Sequence, residues 1–241
     1  MTDDLGPAIP PVLVRGGRVL DPSQGLDAEA DLVLDGGVGR AVPRDGDTGS
    51  ESLVSDLQRA VVIAAEGLVV CPGFIDLHCH LREPGYEHKE TIASGTLAAA
   101  RGGFTTVCCM PNTLPTIDTR ATVEYVLRAA RDVGAARVLP IGCITKQEKG
   151  EELAEMGELA EAGVVGFSDD GRTVADSRLL RQALEYSRIF GLPIIEHCED
   201  ASRATGGVMH EGWVATRLGL QGIPAAAEEV IVARDVALAG L

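Results

Sequence analysis

Aromatic side chains are nearly absent from this chain, at 3% of its residues, so its core has to be assembled from Ala, Val, Leu and Ile. Aliphatic cores of that kind suit α/β proteins, whose parallel strands are covered on both faces. Basic residues are also short: 21 Lys and Arg stand against 36 Asp and Glu, for a formal net charge of -15. Nucleic-acid binders usually carry a basic patch, so that class of partner is excluded, and docking on anionic lipid is excluded with it. A small anionic substrate is not excluded, because a metal and one or two arginines can create local positive potential inside an acidic protein.

Long apolar runs are missing too, and nothing approaches the roughly 20 residues a membrane-spanning helix needs. The opening MTDDLGPAIPP is acidic and Pro-rich, which fits neither a signal peptide nor a transit peptide. The six cysteines (Cys71, Cys79, Cys108, Cys109, Cys143, Cys198) form no C-x-x-C pair and sit almost entirely in apolar runs. They read as reduced, buried residues of a cytoplasmic protein rather than a disulfide framework. No G-x-G-x-x-G follows any predicted strand, so a dinucleotide site is not expected.

What is present begins with short β segments. Val12–Arg15 leads into a Gly16-Gly17 turn and Arg18–Leu20, and Asp31–Asp35 follows. Val61–Ile63 and Leu68–Val70 come after a polar stretch, Arg44–Ser55, read as a solvent loop. Short strands with Gly-rich turns indicate a small antiparallel, β-sandwich-like segment over residues 1–70. Strand–helix alternation then takes over in residues 71–241. Strands are expected at Gly73–His80, Phe104–Met110, Arg137–Ile144, Val164–Phe167 and Pro193–His197. Helices are expected at about 89–101, 119–133, 151–162, 177–190 and 225–239. Repeated βα units imply parallel strands with right-handed crossovers, either in an open doubly wound sheet or in part of a (β/α)8 barrel.

Chemistry-bearing residues collect at the C-terminal ends of these strands, where barrel active sites form. In PGFIDLHCHLREPGYEHKE, at the end of what reads as a buried strand, His78 and His80 are two residues apart and so share a strand face, and Arg82 continues the alternation. Asn112 follows the second strand, Asp169 and Asp170 the fourth, and His197 the fifth. Three histidines with an acid suit zinc or a similar divalent ion. Arg82 is placed to offer a carboxylate its planar fork. Asn112 either caps the next turn or bonds a ligand. His88 and His210 read as solvated or supporting residues, and Lys89 and Lys146 lack strand-end placement.

At these residues the chain resembles the amidohydrolase superfamily, and within it the class I bacterial dihydroorotases. RGGRVLDPSQGLD, PGFIDLHCHLREPGYEHKET, GGFTTVCCMPNTLPTID, GFSDDG, PIIEHCED and MHEG through LGLQGIPAAAEE stand in the family's order. The resemblance implies a two-zinc (β/α)8 barrel that interconverts N-carbamoyl-L-aspartate and dihydroorotate in pyrimidine biosynthesis. It implies His78 and His80 on the more buried zinc, Asp170 bridging, His197 on the second zinc, and Arg82 and Asn112 on the substrate carboxylate. Relatives such as allantoinases and hydantoinases usually bridge with a carbamylated lysine, which is replaced here by Ser168-Asp169-Asp170. A homo-oligomer, or a complex with aspartate carbamoyltransferase, is the implied assembly, and a non-catalytic scaffold for that enzyme is an alternative role. The family's strand-six histidine and strand-eight proton-shuttle aspartate have no counterpart before Leu241. The expectation is therefore an incomplete barrel of about five βα units, without its catalytic aspartate and inactive or poorly folded alone.

Overall fold

The computed structural model of the chain describes residues 10–43, 51, 54–56 and 58–240. They fall into two compact units, Met1–Pro72 and Gly73–Leu241.

In the first unit Gly16 and Gly17 do not turn the chain. They lie inside one strand, β1 (Val12–Asp21), as an irregularity that shifts its register against β2 (Leu26–Asp35) between Val14 and Gly17. Gly16 has φ 73, a left-handed value that glycine adopts without steric cost, as at a β-bulge. Gly17 sits against Val70, whose Cγ2 would lie 2.5 Å from an added Cβ. β3 (Val38–Pro43) pairs antiparallel with β2, whereas β4 (Val61–Ala64) and β5 (Val69–Val70) both pair parallel with β1. The sheet is thus mixed, not wholly antiparallel, because the chain returns to β1 through a long connection rather than a hairpin. Much of that connection, the loop expected at Arg44–Ser55, lies outside the described residues, as does most of the N-terminal MTDDLGPAIPP. Of the part described, Val54 is buried against Leu13 and Val33.

The second unit opens with β6 (Phe74–Cys79), then α1 (Ile92–Arg101), β7 (Phe104–Cys109), α2 (Arg120–Val133) and β8 (Arg137–Pro140). β6, β7 and β8 are parallel neighbours in chain order. Two further positions continue the sheet as single bridges, Gly142 with Phe167 and Phe167 with Ile194, both parallel. The order runs one way without the reversal that defines a doubly wound sheet. Right-handed crossovers then place successive helices on one face, which is how a (β/α)8 barrel is built. The architecture is a barrel segment.

Helix boundaries follow local chemistry. Thr91 and Ser94 form a reciprocal capping box at the start of α1, and Thr119 and Thr122 repeat it on α2. Asp176 accepts from the backbone N–H of Arg178 and Leu179 ahead of α4 (Ser177–Phe190). α3 (Met156–Ala162) begins five residues later than the pattern from Glu151 suggests. The intervening chain folds back on itself: Thr145 bridges Leu153, Lys146 N donates to Glu152 O at 3.0 Å, and Ala154 N to Ile144 O at 2.9 Å. The remaining elements are α5 (Ala201–Ala204), β9 (Met209–His210), α6 (Trp213–Leu218), β10 (Gly222–Ile223) and α7 (Ala226–Ala239).

The core lies between the middle strands and helices α2 to α4, with Phe167, Ile92, Met156, Leu159 and Val123 sealed from solvent. β6 does not belong to that buried interior. Among the described residues it pairs only with β7, and Phe74, Ile75 and Leu77 remain 56%, 59% and 71% exposed. No helix among the described residues is long and apolar enough to cross a membrane.

Candidate metal centre and adjoining cavity

The pairing of β6 ends at Cys79, so His78 lies within the strand and His80 just past it. Their Nε2 atoms nevertheless turn to the same carboxylate: His78 is 3.2 Å from Asp170 Oδ1 and His80 is 3.5 Å from Asp170 Oδ2. One ligand atom from each of the three residues lies within 4.8 Å of the others, close enough to hold a metal ion. Two imidazole nitrogens and a carboxylate oxygen form a donor set that fits a borderline divalent cation such as zinc.

Asn112 ties the group together. Its Nδ2 donates to Asp170 Oδ2 at 2.8 Å, while its Oδ1 stands 3.0 Å from His80 Nδ1. Turning the amide over would set an oxygen against a carboxylate, so Oδ1 faces the histidine and accepts its Nδ1–H. That places a proton on Nδ1 and turns Nε2 toward Asp170 as the nitrogen for a cation, the usual role of a supporting partner beside a metal-binding histidine.

The neighbouring acids of the SDDG run diverge. Asp170 faces the histidines, and Asp169 turns the other way, buried. Asp169 Oδ1 accepts from Ile144 N at 2.8 Å and Thr145 N at 3.0 Å, and its Oδ2 accepts from the Thr145 hydroxyl. Burial raises the Asp169 carboxyl above its ordinary value, opposed by these donors.

Arg82 does not continue the strand alternation. Its φ of 62 puts it in the left-handed region, where the chain leaves the strand. The loop it opens is clamped by Glu83, whose carboxylate accepts from Ile92 N at 2.8 Å and from the Tyr125 hydroxyl at 2.8 Å. Arg82, Asn112 and Asp170 share the wall of a cavity of about 800 Å³, which also meets Glu148, Lys149 and Arg172. The structure thus sets the carboxylate-binding candidate beside the metal-binding one.

His197 is not brought into the group of three. Its backbone carbonyl accepts from the Thr173 hydroxyl, and the residue lines a separate cavity of about 480 Å³ together with His210. Among the cationic side chains without strand-end placement, Lys146 pairs with Glu152 at 3.2 Å and Glu155 at 3.5 Å, and Lys89 lies over the Tyr86 ring.

Sequence reasoning missed Glu148. It is 8% exposed, its Oε1 has no hydrogen-bond partner among the described residues, and burial followed by Asp169 pushes its carboxyl up to about 7. Nothing in KQEKGEE distinguishes it from a solvated acid. It lies within the fold-back between Thr145 and Ala154, which local pattern does not announce.

A family model described as dihydro-orotase-like matches residues 67–240. Among curated proteins, a dihydroorotase of Geobacter sp. (strain M21) is 51% identical over 234 residues, covering 95% of this chain and 52% of its own length. A dihydroorotase of Pelotomaculum thermopropionicum is 52% identical over 229 residues, covering 95% of this chain and 51% of its own. The chain spans about half the length of the curated relatives it matches. Among solved structures, an L-hydantoinase (dihydropyrimidinase) from Arthrobacter aurescens superposes with a TM-score of 0.72 at 20% identity, covering 94% of this chain and 50% of that one. A D-hydantoinase superposes with a TM-score of 0.67 at 21% identity, covering 95% and 50%. At such identities the likeness concerns the fold alone.

Proposed function

This chain belongs to the dihydro-orotase-like family, and we propose that it carries the metal-binding and carboxylate-binding half of a dihydroorotase. The reaction is the reversible hydrolysis of the ring amide of dihydroorotate to N-carbamoyl-L-aspartate. The observation that carries this reading is the convergence of His78 and His80 on Asp170, which itself shares a cavity wall with Arg82 and Asn112.

In this reading His78, His80 and Asp170 would hold zinc, and His197 would contribute to a second zinc position. Zinc bound there supplies Lewis acidity and a water of lowered pKa. Arg82 binds the substrate carboxylate through two parallel N–H bonds. Asn112 keeps His80 and Asp170 in register while its amide is held between them, which makes it an orienting residue before it is a substrate contact. In hydrolysis, water oxygen bonds to the ring carbonyl carbon, the C–N bond breaks, and the ring nitrogen leaves with a proton. Ring closure takes up a proton as a carboxylate is consumed, so acid favours synthesis and alkali favours hydrolysis. The retained ligand set supports an enzyme over a scaffold that has lost its metal. The SDDG aspartates, in place of a lysine, support dihydroorotate over allantoin or hydantoin.

The test joins residues 1–241 to the part of the Geobacter relative that this chain does not match. Formation of N-carbamoyl-L-aspartate from dihydroorotate, lost on His78→Ala, is the expected result. Turnover of allantoin in its place, or activity indifferent to His78→Ala, overturns the reading.

A further inference from the structure

We propose that Glu148 is a specificity residue that accepts a hydrogen bond from an N–H of the substrate's ureido or ring-amide group. The inference rests on the reading of the cavity as a carboxylate-binding substrate site.

Three observations carry it. First, Glu148 lines the same cavity as Arg82 and Asn112, is more than nine-tenths buried, and carries a sealed oxygen, Oε1, that no described residue satisfies. A buried carboxylate oxygen without a donor is costly, and native structures keep such atoms mainly where a partner arrives. Second, the backbone is held in an unfavourable conformation to place it. Gln147 and Glu148 both have φ 55, and neither is glycine. Each such residue costs about 1 kcal/mol or more and persists only where its surroundings enforce it. Here the enforcing bonds are Gln147 N to Asp118 Oδ2 at 2.9 Å, Glu148 N to Thr145 O at 3.1 Å and Lys149 N to Lys146 O at 3.2 Å. Third, the charges around the cavity separate the ligand's functions. Arg82 is available for a carboxylate, while Arg172 is engaged with the Glu148 backbone carbonyl at 3.2 Å. The acid is therefore left to read a donor. A ligand with a carboxylate at one end and an N–H group further along fits this arrangement. Burial, followed by the charge of Asp169, also raises the Glu148 carboxyl to about 7.

The discriminating pair of probes is N-carbamoyl-L-aspartate and succinate, which share two carboxylates and differ in the ureido group. Calorimetric titration of the full chain in the presence of zinc is expected to show preference for the ureido ligand. Glu148→Leu is expected to reduce that affinity about tenfold or more, as loss of a hydrogen bond to a charged group does, and to leave succinate unchanged. Glu148→Gln, which keeps a carbonyl acceptor, is expected to fall between. A preference that survives Glu148→Leu, or an equal loss for both ligands, overturns the proposal and spares the carboxylate site. Failure of the unsubstituted chain to bind either ligand overturns both.

Discussion

The middle of the barrel segment and its first strand differ in what lies beside them among the described residues. At Phe167 the sheet is closed on both sides, bridged to Gly142 and to Ile194, with the ring fully buried. β6 is paired on one side only, and its Phe74, Ile75 and Leu77 stand largely in solvent. The candidate metal centre spans the two. Asp170 comes from the packed region and is 8% exposed, whereas His78 comes from the edge and its side chain is 51% exposed. The fixed point of the site is thus the carboxylate, and the histidines are brought to it, His80 by way of Asn112.

The comparison breaks first at the core. Phe167→Ala should cost about 3–5 kcal/mol by urea unfolding, the usual range for an aromatic truncated in a sealed core. Leu77→Ala should cost less than about 0.5 kcal/mol, as surface changes do. Equal losses at the two positions would dissolve the contrast between interior and edge. The next effect concerns the link between the regions. Asn112→Ala should weaken zinc binding about 10- to 100-fold, the range for a partner that orients metal ligands, with only a small change in melting temperature. Affinity read by competition with a chromophoric chelator checks this, and unchanged affinity would mean that His80 needs no orienting bond. The smallest effect is one of pH. The Glu148 carboxyl lies at about 7 in the fold against an ordinary 4.5, raised first by burial and then by Asp169. Between those values the folded chain keeps a proton that the unfolded chain has lost, so stability falls as pH rises through this window and stays reduced above it. Glu148→Gln should reduce that slope, leaving the part due to Glu196, whose carboxyl burial also raises to about 7, and melting temperatures from pH 4.5 to 8 would reveal the difference.

Much of this was legible in the residues. Thr91, Thr119 and Asp176 announce their helices because capping is local chemistry, and Gly163 and Gly191 stop theirs in left-handed conformations for the same reason. His78, His80 and Asp170 could be placed together because strand ends of a parallel sheet converge. What local pattern could not carry was the response to distant pairing. Gly16-Gly17 looks like a turn until β4 and β5 arrive on the same strand. Glu151–Glu155 looks helical until its backbone is taken by the chain from Ile144 to Lys146. β6 reads as buried by composition, yet burial depends on what lies beside it. Arg82 reads as the next step of a strand, but the strand has already ended. The division of labour within Asp169-Asp170 was not legible either, because both acids lie past the bridge at Phe167, where strand alternation no longer sets direction.

Asp169 has a consequence for how the molecule breathes. Past Gly142 the strand ends no longer exchange regular backbone bonds, yet the amides of Ile144 and Thr145 are held by a side-chain carboxylate from the neighbouring strand end. That carboxylate acts as one more rung where the ladder has stopped. The two amides should resist exchange with heavy water as firmly as those of β8, and the protected region should extend to the floor of the site rather than fading before it.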